Sequence, residues 1–213
     1  MKENLPRPSS LKLTYFDAHG GRGEPIRIAL TIGGVPFVDE RLNFKDWLAL
    51  KPSTTFGSLP VLEADGQRIT QSNSMLRYAG RLAGLYPADP WRAAQCDEAC
   101  DAVEHLSVVT GPSYSMRGDE QRVERERLAA GPIPQFLKGL DAILTSRGGG
   151  WFAGTELTVA DLKVEELVRS LSSGRMDHVP TNIVEQNAPG LAAHAKRVDA
   201  HPDVRAYRAK KGL

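Results

Sequence analysis

The sequence predicts a small mixed α/β domain followed by an all-helical domain. Patterns typical of strands and a hairpin are confined to the first 84 residues, and helical hydrophobic spacing continues through everything after residue 90. The stretch LYPADP between them has the composition of a linker. We therefore expect a flexible leader at residues 1–10, an α/β domain at 11–84, a linker at 85–90 and a helical domain at 91–213.

The first half of the α/β domain has the pattern of a β-α-β unit. Alternating apolar and polar residues in LKLTYF predict a strand from Leu11 to Tyr15. A glycine-rich turn at residues 20–23 leads into EPIRIALTIGG, where Pro25 suits the first turn of a helix. A second strand is expected at about residues 36–42. Such units normally place their two strands parallel.

The second half of this domain has the pattern of a hairpin and a helix. Short apolar runs at residues 60–63 and 68–70 flank the turn at 64–67, which has Asp-Gly at its centre. The segment QSNSMLRYAGRLAG then has helical spacing and ends at Gly84. Together the two halves predict a mixed four-stranded sheet in the order of chain elements βαβ-ββα.

The helical domain is divided by its glycines and prolines. A helix from Trp91 to about Met116 is expected to kink at Gly111-Pro112, and another from about 119 to 147 is expected to break at 131–134. Further on, Thr158 and Asp161 have the spacing of a capping box at a helix start. A helix from near Pro189 to before Pro202 and a short terminal helix complete the prediction.

Composition and charge narrow the classes of partner. The 213 residues are 41% hydrophobic and 25% charged, with a net charge of +1. Because no long basic block occurs, we expect neither a nucleic-acid nor an anionic-membrane partner. The N-terminal segment lacks the apolar core of a secretory signal, and no run approaches the ~18 apolar residues of a membrane span. We therefore expect a cytoplasmic protein whose partner is a small molecule or another protein.

The cysteines and histidines do not have the spacing of metal ligands. Cys96 and Cys100 are four residues apart in a helical pattern, which favours small buried side chains over a redox pair. The histidines at 19, 178, 194 and 201 share no ligand spacing either. We therefore expect no metal.

Two groups of residues in the α/β domain are candidates for chemistry. Tyr15 ends a strand beside the glycine-rich turn, and Arg22 follows within reach of the tyrosine or a carboxylate. Gln71 and Ser72 stand at a helix start, which suits a carboxylate because backbone N–H groups are exposed there. Structural explanations also exist, since strand tyrosines usually pack in a core and N-terminal serines usually cap helices.

A second set of candidates lies between the two halves of this domain. Trp47 and Lys51 offer an indole N–H and a cation four residues apart. Leu59-Pro60 follows a turn, and a cis peptide there would leave the Leu59 backbone able to pair with an extended peptide ligand. A half-buried aromatic residue and a surface charge are the alternative interpretation of the first pair.

These motifs occur together in a recognisable order. The segments LTYFDAHGGRGEPIRIAL, DW followed by Lys51, FGSLPVLEADGQRITQSNSMLRYAGRLAGLYP and FAGTELTVADL resemble the glutathione transferase family, most closely its sigma class. The resemblance extends from Leu11 to near the C terminus and is weakest between residues 110 and 150. It implies a thioredoxin-like first domain, a helical second domain, glutathione as co-substrate and a homodimer.

The resemblance also implies roles for individual residues. Tyr15 would hydrogen-bond the glutathione sulfur, with Arg22 supporting it. The residues that would hold the rest of glutathione are Trp47, Lys51 and Ser58 at the glycine end, Leu59 and Pro60 at the cysteinyl unit, and Gln71, Ser72, Asp101 and His105 at the γ-glutamyl end. Small hydrophobic electrophiles would contact Phe16, Tyr114 and Met116.

Three positions depart from the family pattern. The loop between Tyr15 and Arg22 is one residue longer than usual, Ser58 stands where the sigma class often has lysine, and His105 stands where the family commonly has an acidic residue. Asp101 or Glu104 could substitute for that acid. A glutathione-dependent isomerase resembling prostaglandin D synthase, and a non-catalytic binding or crystallin-like protein, are the alternative functions.

Overall fold

The computed structural model describes residues 6–212, and this part of the chain forms two compact units. One unit comprises the residues up to Tyr86 together with those from Ala206 onward, and the other runs from Pro87 to Arg205. The helical domain was expected to extend over residues 91–213, whereas the residues from Ala206 onward pack with the first unit. Within residues 6–212, no helix is long and apolar enough to span a membrane.

The first unit contains a four-stranded sheet. Its strands are β1 (Leu11–Phe16), β2 (Val38–Leu42), β3 (Val61–Ala64) and β4 (Gln67–Ile69). They lie in the order β2-β1-β3-β4, with β1 parallel to β2 and antiparallel to β3, and β3 antiparallel to β4. The predicted mixed, thioredoxin-like sheet is confirmed, and the crossover between its parallel strands is the first helix.

Helices account for the remaining elements in both units. The described chain contains α1 (Glu24–Ile32), α2 (Phe44–Leu50), α3 (Ser72–Ala83), α4 (Pro90–Thr110), α5 (Gly118–Ala130), α6 (Pro132–Ser146), α7 (Val159–Ser172), α8 (Ile183–Asn187), α9 (Pro189–Ala200) and α10 (Pro202–Lys211). Short 3-10 turns at Lys51–Ser53 and Gly111–Tyr114 extend α2 and α4. As predicted, the helical domain breaks at Gly111-Pro112 and at Gly131-Pro132.

Several local features differ from the predictions. No helix was predicted at Phe44–Leu50, yet Asn43 begins α2 by accepting the N–H of Asp46 at 3.0 Å. The short α8 was also missed. Residues 1–5 of the expected leader lie outside the described residues, but the rest of it is anchored: the Arg7 guanidinium donates to the carbonyls that end α1, and the Ser10 N–H donates to Asp65.

Helix α1 is buried on nearly every side, so its two charged residues need partners inside the unit. All residues from Glu24 to Leu30 are buried. The fully buried Arg27 donates through Nη1 to Glu24 at 3.3 Å and through Nε to Asp39 at 2.8 Å. Asp39 on β2 also accepts from Arg41 Nε at 2.8 Å. This ion cluster joins α1 to the edge strand β2.

The ion cluster keeps Asp39 ionised. Burial by itself would raise the pKa of the Asp39 carboxyl, but the hydrogen bonds and charges of Arg27 and Arg41 outweigh burial and hold the pKa below its usual value of 3.8. Burial by itself would lower the pKa of the Arg41 guanidinium, but the bonds to Asp39 and Asp17 outweigh burial and raise this pKa.

The second unit is organised by a capping box at the start of α7. The buried Asp161 accepts the Thr158 N–H and hydroxyl, each at 2.7 Å, and the Phe152 N–H at 2.9 Å. It also lies 2.8 Å from Nε2 of the buried His194 on α9. One carboxylate therefore ties α7 to α9 and to the preceding turn, and the predicted cap is confirmed. Cys96 and Cys100 are buried on α4 and form no disulfide.

We expect Thr158→Ala to lower the free energy of unfolding by about 1 kcal/mol, since it removes a side chain that caps α7. Urea unfolding followed by circular dichroism measures this change. Thr155→Ala is the matched control because Thr155 lies three residues earlier and is exposed. Equal unfolding midpoints for the two variants would contradict the role of the cap.

We also expect Asp39→Asn to make the free energy of unfolding less dependent on pH in the acidic range. A carboxyl whose folded-state pKa is depressed contributes stability above its unfolded-state pKa, and this contribution is lost as pH falls through the folded-state value. The variant should therefore be less stable than the wild type at pH 7, and the difference should shrink as pH falls below about 4. Urea titrations at several pH values test this, with the exposed Asp119→Asn as control. A difference that stays constant with pH would contradict the expectation.

Candidate functional site

The candidate site is centred on Tyr15, next to the last residue of β1. The Arg22 backbone N–H donates to the Tyr15 hydroxyl at 3.1 Å. The tyrosine ring packs edge-on against Phe16, with the ring centroids 5.5 Å apart. The sequence analysis expected Arg22 to support Tyr15, and the structure brings the two together through the arginine backbone.

The loop after β1 fits around the tyrosine because it has glycines at two positions. A Cβ at Gly23 would lie 2.4 Å from Tyr15 Cδ1, which is well inside van der Waals contact. A Cβ at Gly21 would lie 2.7 Å from the Tyr15 hydroxyl, and Gly21 has a φ of +71° that side chains disfavour. The glycines therefore allow the backbone to approach the phenol closely.

The buried Arg27 holds the same loop from below. Its Nη1 donates to the Ala18 carbonyl at 3.2 Å, and its Nη2 donates to the Phe16 carbonyl at 3.3 Å. The guanidinium carbon lies 5.6 Å from the centroid of the Tyr15 ring. Arg27 therefore fixes both the loop and the ring that the loop encloses.

Glu24 and Tyr207 complete this support, and neither was identified from the sequence. Glu24 Oε2 accepts the Gly20 N–H at 3.3 Å, and its Oε1 accepts the Tyr207 hydroxyl at 2.7 Å. Burial, followed by the neighbouring Glu24 carboxylate, raises the pKa of Tyr207 far above its usual value. The sequence did offer a signal for Glu24 and Arg27, because they are the two charged residues within the apolar pattern of α1. Nothing local pointed to Tyr207.

Trp47 and Lys51 lie on α2 and in the 3-10 turn that follows it. The Trp47 indole is buried against Phe16, with ring centroids 5.9 Å apart. The Lys51 side chain is exposed and passes over Gly57, where a Cβ would lie 3.5 Å from Lys51 Cε. This places the lysine beside the turn that leads to Ser58.

The turn before β3 lies at the same end of the sheet as Tyr15. The peptide bond between Leu59 and Pro60 is cis, and Pro60 is buried while Ser58 is exposed. Pairing of β3 with β1 begins at Val61, opposite Thr14. Leu59 therefore lies just beyond the end of the paired strands, near Tyr15.

Gln71 occupies an unusual backbone conformation at the start of α3. Its φ of 71° and ψ of 110° are rare for a residue other than glycine, and such conformations concentrate at functional sites. It is exposed, whereas the next residue, Ser72, is buried. The side chains of Gln71 and Ser72 thus stand where the first N–H groups of α3 are presented.

The remaining candidates, Asp101, His105, Tyr114 and Met116, belong to the second unit. Asp101 and His105 are exposed on α4, and the His105 ring packs edge-on against Phe136 at 4.9 Å. Glu104, the other possible acid, forms an ion pair with Lys163 at 2.9 Å. This ion pair joins α4 to α7.

Tyr114 and Met116 lie in and after the 3-10 turn that follows α4. The Tyr114 hydroxyl donates to Met176 Sδ at 3.9 Å, and the buried Arg125 guanidinium lies 5.4 Å from the centroid of the tyrosine ring. The Met116 carbonyl accepts from Gln121 Nε2 at 2.8 Å.

In residues 6–212, no three or more His, Cys, Asp or Glu side chains are grouped so that they could hold a metal ion.

The chain is similar to known families and proteins over most of its length. Residues 11–81 match the family model for the glutathione S-transferase N-terminal domain, and residues 106–211 match that for its C-terminal domain. Glutathione S-transferase 1 of Ascaris suum is 36% identical over 167 residues, which cover 76% of this chain and 80% of that protein. Hematopoietic prostaglandin D synthase of Gallus gallus is 31% identical over 200 residues, covering 94% of this chain and 96% of that protein.

Solved structures extend the similarity to three dimensions. The glutathione S-transferase from Ascaris lumbricoides superposes with a TM-score of 0.80 and 32% identity, over 94% of this chain and 97% of that one. The prostaglandin synthase D of Nilaparvata lugens superposes with a TM-score of 0.84 and 25% identity, over 96% and 99% of the two chains. The chain therefore belongs to the glutathione S-transferase family, whose members use glutathione as co-substrate.

Proposed function

We propose that this protein transfers the glutathione thiolate to small hydrophobic electrophiles and that Tyr15 stabilises the thiolate. The observation that carries the proposal is the hydrogen bond from the Arg22 N–H to the Tyr15 hydroxyl. A donor on the phenol oxygen polarises the O–H bond and strengthens the hydrogen bond that the phenol itself donates. The glycines and Arg27 hold the phenol in this position.

A donor aimed at sulfur is sufficient for the chemistry. A free thiol has a pKa of about 8.5, so only a few per cent is the nucleophilic thiolate at neutral pH. A charge-assisted hydrogen bond is worth roughly 1.5 to 3 kcal/mol, which would lower the thiol pKa by about one to two units. The thiolate then attacks an electrophilic carbon, a bond forms between sulfur and that carbon, and the leaving group departs with the bonding electrons.

The other candidates fit the remaining parts of glutathione in this proposal. The exposed Lys51, with Trp47 and Ser58, would hold the glycine carboxylate, and the Leu59-Pro60 turn would pair with the cysteinyl unit as a strand would. Gln71 and Ser72 at the start of α3 would bind the γ-glutamyl end, because helix N-termini favour carboxylates.

A second subunit would complete the glutathione site. In a homodimer, the partner subunit's Asp101 or the partner subunit's His105 would reach the glutathione amine. The apolar electrophile would contact Phe16, Tyr114 and Met116. The sigma-class assignment and the cytoplasmic location remain predictions from the sequence.

A prostaglandin D synthase-like isomerase is the second candidate. It is favoured by the similarity to the chicken and Nilaparvata proteins whose names carry that activity. Isomerisation of an endoperoxide regenerates glutathione, whereas conjugation consumes it. Following free thiol during turnover of each substrate class therefore separates the two functions.

We expect Tyr15→Phe to lower kcat strongly while glutathione binding changes little, because the variant loses the bond to sulfur and the acceptor for the Arg22 N–H but no contact with the rest of glutathione. Ultraviolet titration of bound glutathione should give a thiol pKa below the free value in the wild type. In the variant, the thiol pKa should be about one to two units higher than in the wild type, and each unit means about tenfold less thiolate. Tyr78→Phe on α3 is the matched control. Equal losses of binding and turnover would show that Tyr15 is structural, and an undepressed wild-type pKa would favour a non-catalytic binding protein.

We expect Lys51→Ala to raise the dissociation constant of glutathione about tenfold with kcat nearly unchanged, since a contact at the glycine carboxylate is the same in ground and transition states. Isothermal titration calorimetry measures the binding. Lys45→Ala removes an exposed lysine from α2, the helix just before the 3-10 turn that carries Lys51, and serves as control. Similar affinities for the two variants would exclude Lys51 from the glutathione site.

A further inference from the structure

Glu24 connects the C-terminal helix to the loop that holds Tyr15. One of its oxygens, Oε1, accepts the Tyr207 hydroxyl at 2.7 Å, across 183 residues of sequence. The other, Oε2, accepts from Gly20 N–H and from Arg27 Nη1, each at 3.3 Å. A single buried carboxylate thus connects α10 to Gly20 and Arg27.

Gly20 and Arg27 both belong to the immediate surroundings of Tyr15. Gly20 begins the run of glycines that encloses the phenol, and Arg22, two residues later, donates to its hydroxyl. Arg27 bonds two carbonyls of the same loop and lies beside the Tyr15 ring. A shift of the Glu24 carboxylate would therefore be transmitted to both sides of the tyrosine.

The bond from Tyr207 to Glu24 is built to persist. Tyr207 is only 3% exposed and Glu24 only 1% exposed, so water does not compete effectively for either group. Burial and the adjacent carboxylate keep the phenol protonated, and it remains a donor. Loss of the hydroxyl would leave one oxygen of a buried carboxylate without this donor, which is costly.

We propose that Tyr207 is a positioning residue for Tyr15 and that α10 sets the geometry of thiolate activation through Glu24. The inference rests on the proposed role of Tyr15. Tyr207 touches neither glutathione nor the reacting atoms in this account. Its effect on the chemistry passes through Glu24, Gly20 and the loop.

The test compares Tyr207→Phe with Tyr78→Phe, which removes the same hydroxyl from α3. In Tyr207→Phe we expect kcat to fall about tenfold, equivalent to about 1.4 kcal/mol in the barrier, with less than about a twofold change in KM for glutathione. The pKa of the bound thiol should rise toward the free value. Tyr78→Phe should leave kcat and the thiol pKa unchanged.

Hydrogen exchange tests the coupling independently of catalysis. Without glutathione, amides in residues 17–23 should exchange faster in Tyr207→Phe than in the wild type, while those of α7 should not change. If the wild type fails to lower the thiol pKa and the loop still loosens, only the proposed function fails. Unchanged exchange in the loop, or an equal loss of binding and turnover, would overturn the positioning role.

A second variant controls for the case in which Tyr207→Phe affects only the folding of α10. Glu24→Met keeps the length of the side chain but removes both acceptor oxygens, so the double variant has no bond between residues 24 and 207 left to lose. If both residues act through their shared bond, the double variant should lower kcat less than the product of the two single effects. Fully multiplicative effects would show that Tyr207 acts by another route.

Discussion

The interaction on which the first unit depends is the burial of the Arg27 guanidinium. A cation removed from water is tolerated only when its donors are satisfied, and losing one partner of a buried ion pair costs roughly 3 to 5 kcal/mol. Here the partners are the carboxylates of Glu24 and Asp39 and two carbonyls of the β1–α1 loop. Satisfying Arg27 therefore fixes the edge strand β2 and the path of the loop together. The position of Tyr15 follows from the same requirement.

This constraint explains why the loop tolerates an unusual sequence. The resemblance predicts that the segment from Asp17 to Gly23 is one residue longer than the family pattern, and Arg22 meets Tyr15 through its backbone N–H. A backbone donor depends on where the chain runs and is indifferent to the length of the side chain. The carbonyls held by Arg27 and the glycines that admit the phenol determine that path. The extra residue is thus compatible with the contact.

Local patterns predicted the elements that local forces determine. The alternation in LKLTYF, the Asp-Gly turn and the spacing of Thr158 and Asp161 each encode their structure within a few residues, and the structure confirms all three. Helix α2 was missed because seven residues give too little periodicity to recognise. Tyr207 could not be found in this way, since its partner is 183 residues distant. The binding roles of the candidate residues came from the resemblance and remain proposals.

The charges of the ion cluster indicate where thiolate activation would originate. The cluster contains two cations, Arg27 and Arg41, and three carboxylates, Glu24, Asp39 and Asp17. Its net charge is therefore not positive, and by Coulomb's law it would not attract a thiolate. The cluster can position Tyr15 but cannot by itself favour an anion. Stabilisation of the sulfur would then rest on directed hydrogen bonds, for which the orientation of one phenol matters more than the field around it. Such a bond weakens steeply when its angle is lost, so the rigidity of the loop is itself part of the chemistry.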